Sequence, residues 1–312
     1  MAGSVETFQL SVDEAEIYET RFVPALFGEW APHLVEAGGV AAGQSILDVA
    51  CGTGIVARTA ADRIAGHGRV TGLDINEGML AIAQRLRPDI DWQHGDAADL
   101  PFPDATFEVV LCQASLMFFP DRARALREMA RVTTAGGTVA VQVWASLESQ
   151  PGYSAFIDVA ARHAGPEAID LLSAYWVLGD LDLVAALFEA AGLEVIATRT
   201  RTGAARFDSI DDLVKTEVES TPLIDRISNE VYDSILKDSR AALQPFTAED
   251  GKAEVPIEGH VITARKTAAC SSTASSTPST TSQPSSSPSS TATTAPPSPS
   301  AGPTMADPLQ IA

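Results

Sequence analysis

A short apolar run, Ser45–Val49, breaks directly into the turn Cys51-Gly52-Thr53-Gly54, and a helical apolar spacing follows over 55–64. Glycine lets a backbone turn tightly and approach a ligand with no Cβ in the way. The free N–H groups at the helix start then face whatever lies over the turn. Such a strand, turn and helix in immediate succession predict the opening unit of an α/β sheet rather than a hairpin or a helical bundle.

The rest of the chain continues the alternation. Strands are predicted over 69–73, 90–94, 107–112 and 138–144, and helices over 77–86 and 122–132. A helix over 181–191, a strand over 193–200, a largely helical stretch over 211–243 and a strand over 261–265 complete the pattern. A further helix, over 23–38, precedes the first strand and ends near Gly38-Gly39. This order sets strands parallel, with helices on both faces. The expected fold is therefore Rossmann-like α/β: a doubly wound, mostly parallel, seven-stranded sheet with helical insertions.

Residues 1–44 read as an N-terminal helical cap and 45–266 as the main domain. Insertions at 145–180 and 205–245 exceed ordinary connections, and connections of that length usually form a lid or a substrate wall. From Ser271 to Ser300, 26 of 30 residues are Ser, Thr or Pro. A segment so poor in apolar side chains cannot offset its chain entropy, so 267–312 is expected to be a disordered tail.

The net charge is −20, and after Lys266 the sequence holds one acid, Asp307, and no Lys or Arg. Nearly all of that charge thus belongs to the folded part. It repels phosphate backbones, which argues against a nucleic-acid partner and leaves a small-molecule substrate. The three cysteines, Cys51, Cys112 and Cys270, form neither a disulfide framework nor a metal-binding CxxC pair. No run of about 18 apolar residues suggests a membrane span, and the acidic start lacks a signal-peptide core. The expectation is a cytoplasmic protein without a metal. Nothing in the pattern fixes an oligomeric state.

The glycine turn alone admits two cofactors. Gly52-x-Gly54-x-x-Ala57 satisfies the dinucleotide pattern, and Asp74 ends the next strand, where either cofactor's ribose would sit. Three features favour S-adenosylmethionine (SAM) over NAD(P). Asp48 stands at the strand end before the glycines, where it would repel a pyrophosphate but suit a cationic amino-acid end. Ala50-Cys51 intervene between strand and first glycine. A further acid, Asp96, follows the third strand, where it could accept from an adenine amine.

With Leu47-Asp48-Val49-Ala50-Cys51-Gly52-Thr53-Gly54, Val70-Thr71-Gly72-Leu73-Asp74, Gly78-Met79-Leu80, Gly95-Asp96-Ala97-Ala98-Asp99-Leu100-Pro101-Phe102 and Arg127-Glu128-Met129-Ala130-Arg131-Val132 in this order, the sequence resembles the class I SAM-dependent methyltransferases of the ubiquinone/menaquinone C-methyltransferase-like type (methyltransferase type 11). The resemblance runs from about 18 to 266 and is strongest over 46–144. It implies that Asp48 helps hold the amino group of SAM, and that the backbone around Ala50, Cys51, Gly52 and Gly54 passes under the amino-acid end and ribose. It implies that Asp74 grips both ribose hydroxyls, that Ile75 and Met79 line the adenine, and that Asp96 and Ala97 read the adenine edge. Gln113 falls where cofactor and substrate pockets meet, and Tyr18 resembles an aromatic that closes over SAM. Many members of the family have glycine where this chain has Ala50.

The implied activity is methyl transfer to a small, partly apolar metabolite at O, N or C. No general base stands out. Of the five histidines, His163 is the best placed, inside the first insertion. Phe118 and its neighbours after the fourth strand, with Tyr153, Phe156, Tyr175 and Trp176, could wall an apolar pocket. Competing readings are an NAD(P)-dependent oxidoreductase, a catalytically inactive SAM-fold protein acting through partners, and a methyltransferase for a protein acceptor.

Overall fold

The computed structural model describes residues 10–267; the tail expectation lies outside them. Seven strands form one sheet: β1 (Ser45–Val49), β2 (Arg69–Asp74), β3 (Asp91–His94), β4 (Phe107–Gln113), β5 (Thr133–Trp144), β6 (Leu193–Phe207) and β7 (Ala253–Lys266). Their spatial order is β3-β2-β1-β4-β5-β7-β6. The first five pair in parallel, and β7 runs antiparallel to both β5 and β6. From β1 the chain winds outward through β2 and β3, then returns to β1's other side as β4. In open sheets of this kind a ligand crevice forms where the winding reverses, beyond the carboxyl ends of the strands.

Helices pack on both faces. α3 (Ile55–Ile64) buries Val56, Ala57, Ala60 and Ile64, and α5 (Arg122–Val132) buries Ala125, Leu126, Met129 and Ala130, each a single stripe at helical spacing. α4 (Glu77–Leu86) starts at Asn76, whose side chain accepts from the Met79 N–H at 3.0 Å. α8 (Leu181–Ala190) covers β6. With both faces covered, β1 and β4 are buried almost throughout, which is why they read as continuous apolar runs.

Four features depart from the sequence reading. The helix expected over 23–38 is a π-type helix, Tyr18–Phe27, followed by α2 (Ala31–Ala37), while α1 (Val12–Ile17) precedes both. Pro24 lies inside the π-type segment, where its missing N–H and its ring are incompatible with a regular α-helical turn. β5 begins at Thr133 instead of 138, with a register shift opposite 107–109. The last two strands are far longer than expected, and beyond the Trp144–Gly259 pair they continue as a two-stranded ribbon to Phe207–Ala253. Residues 198–202 are exposed on both faces, so the alternation that marks a half-buried strand is missing there. The second insertion consequently starts after Phe207, not at 205.

The insertions form a helical cover. The first holds α6 (Pro151–Ala164), α7 (Glu167–Leu172) and a 3-10 turn, Ala174–Trp176; the second holds α9 (Ile210–Glu219) and α10 (Asn229–Ala242). The cover meets the sheet through Trp176, whose ring lies 6.3 Å from that of Trp144 at the end of β5. Among the described residues no helix is long and apolar enough to cross a membrane.

Candidate functional site

The turn after β1 is built from backbone conformations that side chains rarely adopt. Ala50, Gly52 and Gly54 have φ of 55°, 54° and 90°. At Gly54 a second constraint applies, because a Cβ there would run into the ring of Trp92. Trp92 is pinned from β3 by a 2.8 Å bond from its indole N–H to the Arg87 carbonyl. Gly52 is open by contrast: an added Cβ would meet only the ring of Tyr18, at 3.7 Å. Ala50 carries its Cβ in left-handed backbone, at a strain that the glycine common in the resembled family would not have.

Two carboxyls flank this turn. Asp48 is 1% exposed, and its Oδ2 accepts the Ala57 N–H in the first turn of α3 at 2.9 Å. Burial pushes its pKa up to about 8, and the charge of Asp74 adds to the rise. No cationic side chain among the described residues pairs with it. Asp74, at the end of β2, accepts the Gly52 N–H at 2.7 Å through Oδ2 and the Asn76 N–H at 2.8 Å through Oδ1. Burial raises its pKa too, against the pull of these backbone donors. The Ile75 N–H donates to the same carboxylate, so both oxygens are fixed in position. The Thr53 hydroxyl beside them is buried without a partner.

Tyr18 reaches the turn from the π-type helix, stacked on Phe22 and Phe27 with ring centres 5.7 and 5.4 Å away. Gln113, at the end of β4, donates from Nε2 to the Phe27 carbonyl at 3.1 Å and so ties that helix to the sheet, while its Oε1 is buried and unpartnered. Met79 is buried and Ile75 is 40% exposed. Asp96 is exposed and caps its own turn by accepting the Ala98 N–H at 2.8 Å, with Ala97 buried behind it. The Cys51 thiol is buried and its pKa raised by burial, the opposite of an activated nucleophile.

His163 does not join this assembly. Its Nε2 faces Asp238 of α10 at 2.9 Å, at the far end of α6 from Tyr153. Ten helical residues separate the two, about 15 Å along the axis.

A group that the sequence reading passed over lies under the cover. Glu217 of α9 is 4% exposed, and its Oε1 accepts the Tyr153 hydroxyl at 3.1 Å. Burial pushes its pKa up to about 7, while the Tyr153 bond pulls it down. Tyr153 packs on Trp176 with ring centres 5.0 Å apart, and Tyr175 meets Phe118 edge-on at 5.3 Å. The signal was present: Glu217 shares the helical stripe of Ile210, Leu213 and Val214, an acid on an otherwise buried apolar face.

Residues 47–141 match the family described as methyltransferase domain. The demethylmenaquinone methyltransferase of Lysinibacillus sphaericus is 32% identical over 190 residues, which cover 56% of this chain and 81% of that protein. The chain belongs to the class I SAM-dependent methyltransferases of the ubiquinone/menaquinone type. It uses SAM to methylate a small-molecule substrate; the oxidoreductase and the inactive partner-binding readings are not favoured. The demethylmenaquinone methyltransferase of Renibacterium salmoninarum is 44% identical over 112 residues, 36% of this chain and 46% of that protein. A solved structure, phosphoethanolamine N-methyltransferase 2 of Haemonchus contortus with SAM, has the same fold at 17% identity, with a TM-score of 0.53 over 85% of this chain and 59% of that one.

The turn and its flanking acids fit the cofactor of this family. A buried carboxyl without a cation suits an ammonium group, and the open face at Gly52 leaves room for a ligand where a side chain would intrude.

Proposed function

We propose that residues 45–266 form the methyltransferase domain, that the described part of the N-terminal cap, 10–44, covers it, and that the cleft at the ends of β1, β2 and β4 holds SAM. The observation that carries this is Asp48, a buried carboxyl at the strand end with one backbone donor and no counter-charge. In this reading Asp48 faces the amino group. The backbone from Ala50 through Cys51 and Gly52 to Gly54 underlies the amino-acid end, and Asp74 accepts from the ribose hydroxyls. Ile75 and Met79 flank the adenine, Asp96 and Ala97 meet its edge, and Tyr18 closes from above. Gln113 marks the border with the acceptor.

When bound, SAM supplies a methyl group already activated on a sulfonium. The protein's contribution is then to align the acceptor and exclude water, which can account for much of the rate. In this reading Tyr18, Phe27 and Trp144 line the cleft side, and the cover, whose Trp176 packs on Trp144, is the acceptor wall. An acceptor entering between them meets aromatic rings, which supports a small, partly apolar metabolite. The acidic surface disfavours nucleic acid. The free thiols of Cys51 and Cys112 suit a reducing compartment such as the cytoplasm.

Calorimetric titration with SAM, S-adenosylhomocysteine and NADH tests the site. Micromolar binding of the first two and none of NADH is expected. Silence toward both SAM and S-adenosylhomocysteine in a folded protein would sink the assignment.

A further inference from the structure

The first insertion and α9 enclose a charge that the fold itself does not balance. Glu217 is almost fully buried, yet among the described residues one hydrogen bond reaches it, from Tyr153 to Oε1, and none reaches Oε2. No ion pair among the described residues includes it. Acidic side chains are almost never buried to this degree unless paired, and the partner of Glu217 is one neutral phenol. On the segments that carry this pair, the Thr216 hydroxyl of α9 and, in the first insertion, the Ser173 hydroxyl and the Trp176 indole N–H are buried with no partner among the described residues. Unpaired buried groups are rare in folded proteins, and each of them calls for an explanation.

The surroundings say what kind of group completes it. The side chains closest in kind are aromatic: Tyr153 on Trp176, Trp176 on Trp144 and Tyr175 on Phe118. Ring faces attract cations, most strongly where water is excluded. A carboxylate among such rings is satisfied by an organic cation, and the net charge of −20 raises the local concentration of cations around the whole protein. The cluster lies on the acceptor side, because Trp144 ends β5 beside the cleft and packs on Phe27, which stacks on Tyr18 over the glycine turn.

We propose that Glu217 is the anionic anchor of the acceptor site, and that the acceptor carries a protonated amine held between this carboxylate and the rings of Tyr153, Tyr175 and Trp176. The inference rests on the cover being the acceptor wall, as read above. It narrows a partly apolar metabolite to an amine-bearing one. Glu217 thereby becomes a specificity-determining residue supplied by a helix outside the region that matches the methyltransferase family.

The titratable groups that face Glu217 are the phenols of Tyr153 from α6 and Tyr175 from the 3-10 turn, both raised by burial and neutral across the working range. Among the described residues no cation from β6 or α10 faces it. Burial sets the carboxyl near pH 7, so its ionised fraction rises about tenfold between pH 6 and pH 8.

The experiment uses the full chain with 2-phenylethylamine as cationic probe and 2-phenylethanol as neutral isostere. Binding is followed by tryptophan fluorescence with and without S-adenosylhomocysteine. The amine should bind, the alcohol should bind at least tenfold more weakly, and amine affinity should rise about tenfold from pH 6 to pH 8, in step with ionisation. Glu217→Gln should lose at least tenfold in amine affinity at pH 8, flatten the pH dependence and leave affinity for the alcohol and for S-adenosylhomocysteine unchanged. Asp48 also titrates near this range, and the flattened profile of Glu217→Gln separates the two. Tyr153→Phe removes the bond that favours the ionised carboxyl, so the midpoint of the pH profile should move upward; a merely structural tyrosine would not move it. Equal amine binding by wild type and Glu217→Gln, equal binding of amine and alcohol, or no amine binding with or without S-adenosylhomocysteine would each overturn the proposal. Binding of S-adenosylhomocysteine with amine silence defeats this inference alone. Amine binding that depends on Glu217 without any binding of S-adenosylhomocysteine defeats the cofactor assignment instead.

Discussion

Replacing Asp48 by Asn separates the cost of its burial from its benefit. The carboxyl is fully enclosed, with a pKa raised from 3.8 to about 8. A group whose folded pKa lies above its unfolded value favours folding at low pH, and that contribution is lost as pH rises through the folded value. A tenfold change in proton affinity corresponds to about 1.4 kcal/mol, so ionised Asp48 lowers the stability of the ligand-free protein by up to about 5 kcal/mol at pH 8. At pH 5 the same linkage gives about 2 kcal/mol. Asn keeps an oxygen for the Ala57 N–H and cannot ionise. Urea unfolding of the ligand-free variant should therefore show a gain over wild type that grows by about 3–4 kcal/mol between pH 5 and pH 8. Glu217 titrates in both proteins and cancels in the comparison. The variant should at the same time bind S-adenosylhomocysteine about ten- to a hundredfold more weakly, the scale of a lost charge-assisted hydrogen bond. Parallel pH profiles of stability would refute the burial argument. An unchanged affinity would refute the placement of the amino group.

Other perturbations probe other parts of the site and frame. Asp74→Ala should cost about 1–3 kcal/mol in S-adenosylhomocysteine affinity by calorimetry, because it removes a fixed acceptor pair and frees the Gly52 and Asn76 N–H groups. Ala65 ends α3 in left-handed backbone with φ of 49° and is exposed, so Ala65→Gly should stabilise the protein by about 0.5–1 kcal/mol in urea unfolding, and a loss would count against the strain argument. Trp176→Ala should cost about 3–5 kcal/mol of stability through the cavity it leaves under the cover, measured the same way. Every residue assigned to the cofactor lies between Tyr18 and Gln113, so truncation after Thr267 should leave S-adenosylhomocysteine affinity unchanged in the same titration.

The turn after β1 and the helices that follow it, the proposed cofactor end, were readable in the sequence because local backbone demands write them. A strand entering left-handed backbone needs glycine or a tolerated alanine, and the helices after it carry plain apolar stripes, so α3, α4 and α5 were placed to the residue. The proposed acceptor end was not readable in the same way. Glu217 and Tyr153 meet from helices 64 residues apart, and only the folded cover brings them together. His163 looked well placed because it lies in the right insertion, but helical phase and length turn it toward Asp238 at the far end of α6. The long β6–β7 ribbon was hidden for another reason: its exposed stretch has no buried face, so no alternation marks it.

The same carboxyl that weakens the ligand-free protein makes cofactor binding a proton-linked event. At pH 7, with a pKa of about 8, Asp48 is protonated in roughly nine molecules of ten. An ammonium group placed against it favours the ionised form and draws its pKa down. Binding S-adenosylhomocysteine at pH 7 should then release about 0.9 proton, and affinity should rise as pH climbs from 6 toward 8. The nearby charge of Asp74 is one of the causes that hold the pKa of Asp48 up. Calorimetry in two buffers of different ionisation enthalpy counts the proton directly, as the slope of observed heat against buffer heat. In Asp48→Asn the slope should fall close to zero. A wild-type slope near zero at pH 7 would mean that Asp48 is already ionised before the ligand arrives, and the electrostatic account of the site would fail at its centre.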